Sequence, residues 1–372
     1  MACRRASRST SDKHSVPIRP NPGTPVAVRI GLISSPWVPT PPTKYGGTEL
    51  IVDLLARGLQ RAGHDVTLVA TGDSTCPVPT LSLADEPPEI MGDSIIEARH
   101  VLFAYESLAD VDLVHDHTLL GPLLAASRHD TPIVTTNHGP FTPDTRPLFR
   151  DISARTALVA ISASQARLAG RGIRIAKVIP HGLDVDAIPV GPGDGGYVVF
   201  LGRMTPEKGA HLAIDAARRA GVHIVVAAKC REPKEQEYFE REIAPRLGPR
   251  AEFVGEVGGQ EKWDLLGRAT ALLNPIRWPE PFGLVMAEAL ACGTPVVTCP
   301  VGAAPEIVDH GTTGFLCSTT AELDRAVRDA ESIDRVICRK VAVERHSMDR
   351  MVADHVELYS RLAAAAELSE TA

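Results

Sequence analysis

Two patterns of hydrophobic and polar positions alternate along the chain from residue 26 onward. Short continuous apolar runs, such as 28–33, are followed by loops rich in Gly, Pro and Asp, and then by segments of helical periodicity. Segment 48–62 shows this periodicity, with apolar side chains three or four residues apart. Apolar strands that alternate with amphipathic helices are typical of a parallel sheet covered on both faces. We therefore predict an α/β fold with doubly wound parallel sheets.

The pattern runs through twice, which predicts two α/β domains of similar size in tandem. They span residues 26–186 and 187–346, with a linker rich in Gly and Pro at 187–196. A final helix is predicted from residue 347 to 365, within a terminal segment that ends at 372. Strands are predicted at 28–33, 65–70, 112–115, 132–136, 157–161, 176–179, 197–201, 223–227, 251–254, 271–273, 295–298 and 314–316. Helices of the second domain are predicted to begin near residues 207, 235, 260, 282 and 303.

The composition is that of an ordinary globular protein, and it argues against some classes of binding partner. Of the 372 residues, 44% are hydrophobic and 23% are charged. A net charge of -7 and an aromatic content of 4% argue against a nucleic-acid binder, which needs a basic surface and stacking platforms. No apolar stretch approaches the ~20 residues of a membrane-spanning helix, although peripheral membrane contact stays compatible with the sequence. The seven cysteines form no C-x-x-C pair, so we expect neither disulfides nor zinc, and a cytoplasmic location.

The first 25 residues differ from the rest of the chain. They contain five basic residues and one acidic residue among many Ser and Pro, without the apolar stretch of a secretory signal. We interpret the segment 1–25 as a disordered basic tail, with an organelle transit peptide as the alternative.

Several common chemical motifs are absent or weak. The G-x-G-x-x-G fingerprint, the Walker A loop and the G-x-S-x-G elbow do not occur. Two D-x-D triplets, at 110–112 and 184–186, are patterns that often arise by chance. His115 and His117 flank Asp116 at a strand end, where we expect the two imidazoles on opposite faces and find no third ligand. We therefore predict no metal site and interpret 115–117 as a polar loop that lines a cleft.

The strongest candidate for chemistry is segment 274–297, NPIRWPEPFGLVMAEALACGTPVV. Glu280 and Pro281 precede a predicted helix start, where backbone N–H groups lack intrahelical partners and favour an anion such as a diphosphate. Glu288 follows eight residues after Glu280, and carboxylates accept hydrogen bonds from sugar and ribose hydroxyls. An ordinary helix cap with a salt-bridged Glu is an equal alternative. The N–H candidates are Phe282, Gly283, Leu284 and Val285.

Segment 199–209, VFLGRMTPEKG, places two cations just after a predicted strand. Arg203 offers a bidentate fork and Lys208 a mobile point charge, and both suit a diphosphate leaving group. Solvated loop charges are the alternative interpretation.

The first predicted domain contributes two more loops. In 45–49, YGGTE, Gly47 permits close approach of the backbone to a ligand, and a plain turn is the alternative. In 136–139, TNHG, His138 follows a strand and would face the cleft. A structural histidine at a strand end is the alternative there.

These segments, taken in order, resemble the motifs of retaining glycosyltransferase family 4. The resemblance rests on YGGTE, NHG at 137–139, VIPHGLD at 178–184, GRMTPEKG, EPFGLVMAEALACGTPVV and GAAPEIV at 302–308, and it covers about residues 28–362. It implies the GT-B fold, in which two Rossmann-like doubly wound parallel-sheet domains face each other across a cleft. The last helix would pack back on the first domain. His181 departs from the family, where Asn is commoner, and we expect little effect from it.

The resemblance also implies a reaction: transfer of a hexose from a UDP-, GDP- or ADP-sugar to an acceptor hydroxyl, with retained configuration and no metal or other cofactor. The second domain would bind the donor and the first mainly the acceptor, whose identity the sequence does not give. A nucleotide-sugar epimerase, a phosphorylase of the same fold and a non-catalytic nucleotide-sugar-binding subunit are the alternatives.

Roles for particular residues follow from the same resemblance. The cations and the N–H groups of 282–285 would hold the diphosphate, while Glu280 and Glu288 would hold the donor sugar and the ribose. Gly47 would let the first domain close over the phosphates, and His138 would touch the reacting sugar. The catalytic set is Glu280, His138, Arg203 and Lys208; the donor-binding set adds Gly47, Phe282, Gly283, Leu284, Val285 and Glu288; the acceptor-side set is Tyr45, Asp116 and His117.

Overall fold

Two separate parallel sheets organise the chain in the computed structural model, which describes residues 27–89, 91–124 and 131–370. The tail predicted at 1–25 lies outside the described residues. The predicted α/β class with doubly wound sheets is confirmed.

The first sheet has seven parallel strands in the order β3-β2-β1-β4-β5-β6-β7. Its strands are β1 (Arg29–Ile33), β2 (Asp65–Val69), β3 (Thr80–Leu81), β4 (Leu113–Asp116), β5 (Ile133–Asn137), β6 (Ala157–Ala160) and β7 (Ile175–Val178). The helices that accompany it are α1 (Gly47–Arg61), α2 (Ser94–Ser107), α3 (Gly121–Leu124), α4 (Thr145–Arg155) and α5 (Ala163–Ala169). The strand order reverses between β1 and β4, and such a reversal opens a crevice at the carboxyl ends of the strands.

The second sheet repeats this plan with six parallel strands in the order β10-β9-β8-β11-β12-β13. Its strands are β8 (Tyr197–Arg203), β9 (His223–Lys229), β10 (Ala251–Gly255), β11 (Ala271–Asn274), β12 (Val296–Thr298) and β13 (Gly314–Leu316). The helices are α6 (Ala210–Ala220), α7 (Pro233–Tyr238), α8 (Gly259–Arg268), α9 (Leu284–Ala291), α10 (Ala304–Ile307), α11 (Thr320–Asp329), α12 (Arg335–His346) and α13 (Met348–Glu370). Here the order reverses between β8 and β11.

Helix α13 returns to the first sheet. Gly58 in α1 makes the approach possible, because a Cβ atom there would lie 2.4 Å from Val352 Cγ2. Farther along α13, the hydroxyl of Tyr359 lies 2.7 Å from Nδ1 of His115 in β4. The final helix therefore closes the core of the first sheet.

Several predicted boundaries were wrong for local reasons. The two-residue edge strand β3 carries too little pattern to be found. Helix α9 begins at Leu284, not Phe282, because Gly283 adopts a left-handed backbone (φ 93) as the N-cap residue. Pro281 is therefore outside the first turn. Near residue 207 the chain forms a 3₁₀ turn, Pro206–Lys208, and α6 follows it.

The segment predicted as a linker is anchored to the second sheet. The N–H of Gly191 donates to the carbonyl of Cys292 at 3.0 Å, and that of Gly193 donates to the carbonyl of Gly267 at 3.0 Å. Within the part of the chain that the structure describes, no helix has the length and apolarity needed to cross a membrane.

Candidate active site

The carboxyl ends of the two sheets face each other, so the loops that follow the strands form a shared cleft. On the second sheet, Arg203 ends β8 and Asn274 ends β11. The loop before α1 reaches across: the N–H of Tyr45 donates to Oε1 of Glu256 at 3.1 Å. A Cβ atom on Gly47 would lie 4.0 Å from Leu284 at the start of α9, so this glycine stands directly against the second domain.

Lys208, Glu280 and Trp278 form one cluster in the cleft. Lys208 Nζ makes an ion pair with Glu280 Oε2, and the indole N–H of Trp278 donates to the same oxygen at 3.1 Å. The ammonium also lies 5.3 Å from the centre of the Trp278 ring, a cation–π contact. Within the described residues Oε1 of Glu280 accepts no hydrogen bond. The cluster therefore fixes the carboxylate and leaves one oxygen for a ligand.

The backbone of Glu280 is held as firmly as its side chain. Its carbonyl accepts the N–H of Ala303 at 2.9 Å. Gly302, with φ 62, packs so closely that a Cβ atom there would lie 2.3 Å from the Glu280 nitrogen. Only glycine fits such a position. The 302–308 motif thus supports the loop that carries Glu280.

Arg203 lies beside the buried carboxylate of Glu235, whose Oε1 accepts from Nε at 3.1 Å. Desolvation lowers the pKa of Arg203, but the bond and charge of Glu235 outweigh it, so the pKa is raised overall. Lys229, the register partner of Arg203 on β9, pairs with Glu232 at 2.7 Å. Lys229 and Glu235 were not predicted from the sequence, although the parallel register of β8 and β9 places the cations Arg203 and Lys229 side by side.

Glu288 lies deeper along α9 and is 5% exposed. Its Oε1 accepts from Lys262 Nζ at 2.6 Å, and the same ammonium lies 4.1 Å from the centre of the Trp263 ring. Lys262 was also missed, because no sequence pattern links α8 to α9.

The start of α9 lies between these two carboxylates. The first N–H groups of the helix, those of Leu284 and Val285, have no intrahelical acceptor and carry the positive end of the helix dipole. Gly283 is required here, because its φ is 93 and a Cβ atom would lie 2.3 Å from Met286 Cε. Phe282 is buried just before the helix, where it contacts the first domain.

The first domain faces the cleft with histidines. His117 Nδ1 lies 2.8 Å from His138 Nε2, and the ring of His138 stacks on His181 with centroids 5.1 Å apart. His181 in turn meets Phe282 edge-on at 5.1 Å. Burial lowers the pKa of His138 to about 3 and the pKa values of His117 and His181 well below the usual range. These imidazoles are therefore neutral at pH 7.

The structure corrects two expectations about residues 115–117. His115 and His117 do not diverge: their ring centroids are 4.1 Å apart, because side chains two positions apart in an extended chain point to the same face. Asp116 is completely buried and accepts hydrogen bonds from Tyr105 Oη at 2.9 Å and from Thr118. This burial raises its pKa to about 7. Its placement therefore gives no support to an acceptor-side role.

Each of the two D-x-D triplets contributes one carboxylate to an ion pair. Asp112 accepts from the guanidinium of Arg29, and Asp184 lies 3.4 Å from Arg57. Among the residues that the structure describes, no three His, Cys, Asp or Glu side chains form a group that could hold a metal ion.

Two family models match adjoining parts of the chain. Glycosyltransferase Family 4 matches residues 45–187, and Glycosyl transferases group 1 matches residues 187–342. A glycogen synthase of Mycobacterium tuberculosis is 31% identical over 352 residues, an alignment that covers 77% of this chain and 83% of that protein. The chain belongs to glycosyltransferase family 4. The two matched regions contain every site residue described above.

Other similar proteins extend the comparison. A phosphatidyl-myo-inositol mannosyltransferase of Mycolicibacterium smegmatis is 27% identical, covering 78% of this chain and 80% of that protein. The solved structure of AviGT4, a glycosyltransferase of avilamycin A biosynthesis, has a TM-score of 0.72 at 28% identity, covering 91% and 98% of the two chains. Anabaena HepE, solved with UDP and glucose, shares the fold at 22% identity, with a TM-score of 0.71 over 90% and 99%. The GT-B architecture and membership of a glycosyltransferase family are thereby shown.

Proposed function

We propose that this glycosyltransferase moves a hexose from a UDP-, GDP- or ADP-sugar to an acceptor hydroxyl, with retention of configuration and without a metal. The observation that carries the proposal is the cluster of Lys208, Glu280 and Trp278 beside the start of α9, at the floor of an interdomain cleft. A mannosyltransferase among the relatives, and the UDP and glucose bound to HepE, support a nucleotide-sugar donor. Residues 187–346 would bind this donor and residues 26–186 the acceptor.

The diphosphate would occupy the space between Arg203, Lys208 and the first N–H groups of α9. Negative charge grows on the leaving diphosphate as the glycosidic bond breaks. Fixed donors and cations therefore stabilise the transition state more than the bound substrate. These groups would take the place of a metal ion.

The carboxylates would hold the two sugars of the donor. Glu280 would accept hydroxyl groups of the hexose on its free oxygen, and Glu288 would accept those of the ribose. In a same-face attack, the leaving phosphate takes the proton of the acceptor hydroxyl. No pair of carboxylates at glycosidase spacing is then needed.

Donor binding can be tested by thermal shift with UDP-, GDP- and ADP-hexoses in buffer that contains a chelator. A donor at a hundred times its dissociation constant adds ~2.7 kcal/mol of stability. Lys208→Met should remove most of this gain, whereas Lys340→Met, at an exposed cation on α12, should keep it. Equal gains in both variants would contradict the phosphate assignment.

Turnover separates the proposal from its alternatives. A transferase releases nucleoside diphosphate in step with glycosylated acceptor, and the anomeric proton of the product reports retention. Isomerised sugar without acceptor would identify an epimerase. Activity with orthophosphate and pyridoxal absorbance would identify a phosphorylase, and binding without turnover of any offered acceptor would identify a non-catalytic subunit.

A further inference from the structure

The ring of His138 is held on two sides. In its plane, Nε2 lies 2.8 Å from Nδ1 of His117; against its face, His181 stacks at an interplanar angle of 22°. His117 is 7% exposed, so this hydrogen bond is shielded from water. The other nitrogen of His138, Nδ1, has no hydrogen-bond partner within the described residues, and His138 itself is partly exposed.

One hydrogen bond between two neutral imidazoles couples their tautomers. If His117 Nδ1 donates, His138 accepts on Nε2 and must carry its own proton on Nδ1. If His138 Nε2 donates, His117 accepts on Nδ1 and must carry its own proton on Nε2. The rings therefore share one tautomer, and only two arrangements exist.

The surroundings of His117 distinguish the two arrangements. Its Nε2 is fully enclosed and has no hydrogen-bond partner among the residues that the structure describes. A proton on this atom would be a buried donor without an acceptor, an arrangement that folded proteins rarely contain. The arrangement with both protons on Nδ1 leaves the same atom as a bare acceptor. We take this as the less costly of the two arrangements, because orphaned buried N–H groups are the rarer ones in folded proteins.

We propose that His117 is a positioning residue that fixes the proton of His138 on Nδ1, so that His138 offers the cleft a hydrogen-bond donor and not a base. The strong depression of both pKa values by burial agrees with two neutral rings. If the proposed function holds, His138 donates to a sugar or phosphate oxygen and cannot take the acceptor proton through Nδ1. This agrees with the proposed transfer of that proton to the leaving phosphate.

His181 completes the arrangement by fixing the plane of the His138 ring. Its own ring lies between His138 and Phe282, so it connects the histidine pair to the residue that precedes α9. The departure from Asn at this position, from which little effect was expected, thus provides an aromatic face that Asn cannot supply.

The tautomer can be read directly from two-bond ¹H–¹⁵N spectra of protein labelled in its histidine rings, without any substrate. We expect His138 as the Nδ1–H form in the wild-type protein, its signals assigned by their loss in His138→Asn. His117→Phe keeps the ring but not the donor, and should release His138 into a mixture of tautomers. His117→Asn retains an N–H near the position of Nδ1 and should restore the Nδ1–H form. An Nε2–H form in the wild-type protein, or an unchanged tautomer in His117→Phe, would overturn the proposal.

A kinetic comparison connects the tautomer with turnover. His117→Phe should lower kcat about five- to tenfold, the worth of one hydrogen bond, and His117→Asn should recover most of the loss. His355→Asn serves as the control, because His355 lies in the same buried region and contacts His115 but not His138. Melting curves identify any variant that fails to fold. Since the spectra need no substrate, they test the tautomer of His138 independently of whether the protein is a transferase.

Discussion

The two sides of the cleft differ in the charge of the side chains that they present. Among the described residues, the side built by the second domain carries cations that are already paired with carboxylates. They include Arg203 with Glu235, Lys208 with Glu280, Lys229 with Glu232, and Lys262 with Glu288. The side built by the first domain presents neutral histidines that hydrogen-bond and stack with one another. One side suits phosphates and the other suits hydroxyl groups.

The pairing of charges has a consequence for catalysis. A cation held by a carboxylate is already oriented before the ligand arrives, so little reorganisation accompanies the reaction. In the proposed complex, the diphosphate would approach Lys208 while the free oxygen of Glu280 accepts the hydroxyls of the sugar. The ion pair would then join phosphate binding to sugar binding without moving the carboxylate.

Glu280→Gln gives the largest expected effect, because it removes the negative charge that pairs with Lys208. We expect kcat to fall by about a hundredfold or more, with a smaller change in donor affinity. Glu261→Gln, at an exposed position in α8, is the matched control and should retain wild-type kinetics. Steady-state kinetics together with donor titrations make the measurement. Equal losses in kcat and in donor affinity would show that Glu280 only binds the donor.

Buried neutral histidines outside the cleft should make the protein sensitive to acid. Burial lowers the pKa values of His346 and His355 to about 4, whereas the unfolded chain takes up these protons near pH 6.5. The unfolded state then binds more protons between these values, so stability falls as the pH decreases from about 6.5 to 4. Each group contributes ~1.4 kcal/mol per pH unit. Burial raises the pKa of Asp116 to about 7, so this group stabilises the folded state as the pH decreases. It is one group against the two histidines, so the net loss of stability remains.

Urea denaturation between pH 7 and 4.5 measures this dependence. His355→Asn should reduce the slope of unfolding free energy against pH by about one proton. A flat profile in the wild-type protein would show that burial does not lower the pKa values of His346 and His355.

The sequence predicted best those residues that lie in loops with a recognisable pattern. Glu280 and Lys208 were found because loops after strands have recognisable Gly and Pro patterns. The partners of Arg203 and Glu288 were not found, since Arg203 with Glu235 and Lys262 with Glu288 join residues 32 and 26 positions apart on different elements. The start of α9 was misplaced because a left-handed Gly283 looks like any other glycine in a sequence. The motifs thus located the site. The ion pairs between its charged side chains could be found only once the packing of the strands and helices was known.

The smallest expected effect lies where the two sides of the cleft are joined. Glu306, in α10 of the second domain, accepts the backbone N–H groups of Ala163 at 2.8 Å and Ser164 at 2.6 Å, at the start of α5 in the first. Glu306→Gln keeps one acceptor and loses the charge, at a cost of about 1–2 kcal/mol to this contact. Because the contact holds the domains together and not either core, we expect donor affinity to weaken roughly three- to tenfold while the melting temperature changes little.

Small-angle scattering and donor titration measure the two parts of this prediction. The radius of gyration of Glu306→Gln should increase without donor and return toward the wild-type value at saturating donor, since donor binding favours the closed arrangement. Glu331→Gln removes an exposed carboxylate of the same domain and should behave as wild type. Unchanged scattering with unchanged affinity would mean that the charged and neutral sides stay together without Glu306, through contacts such as that of Tyr45 with Glu256.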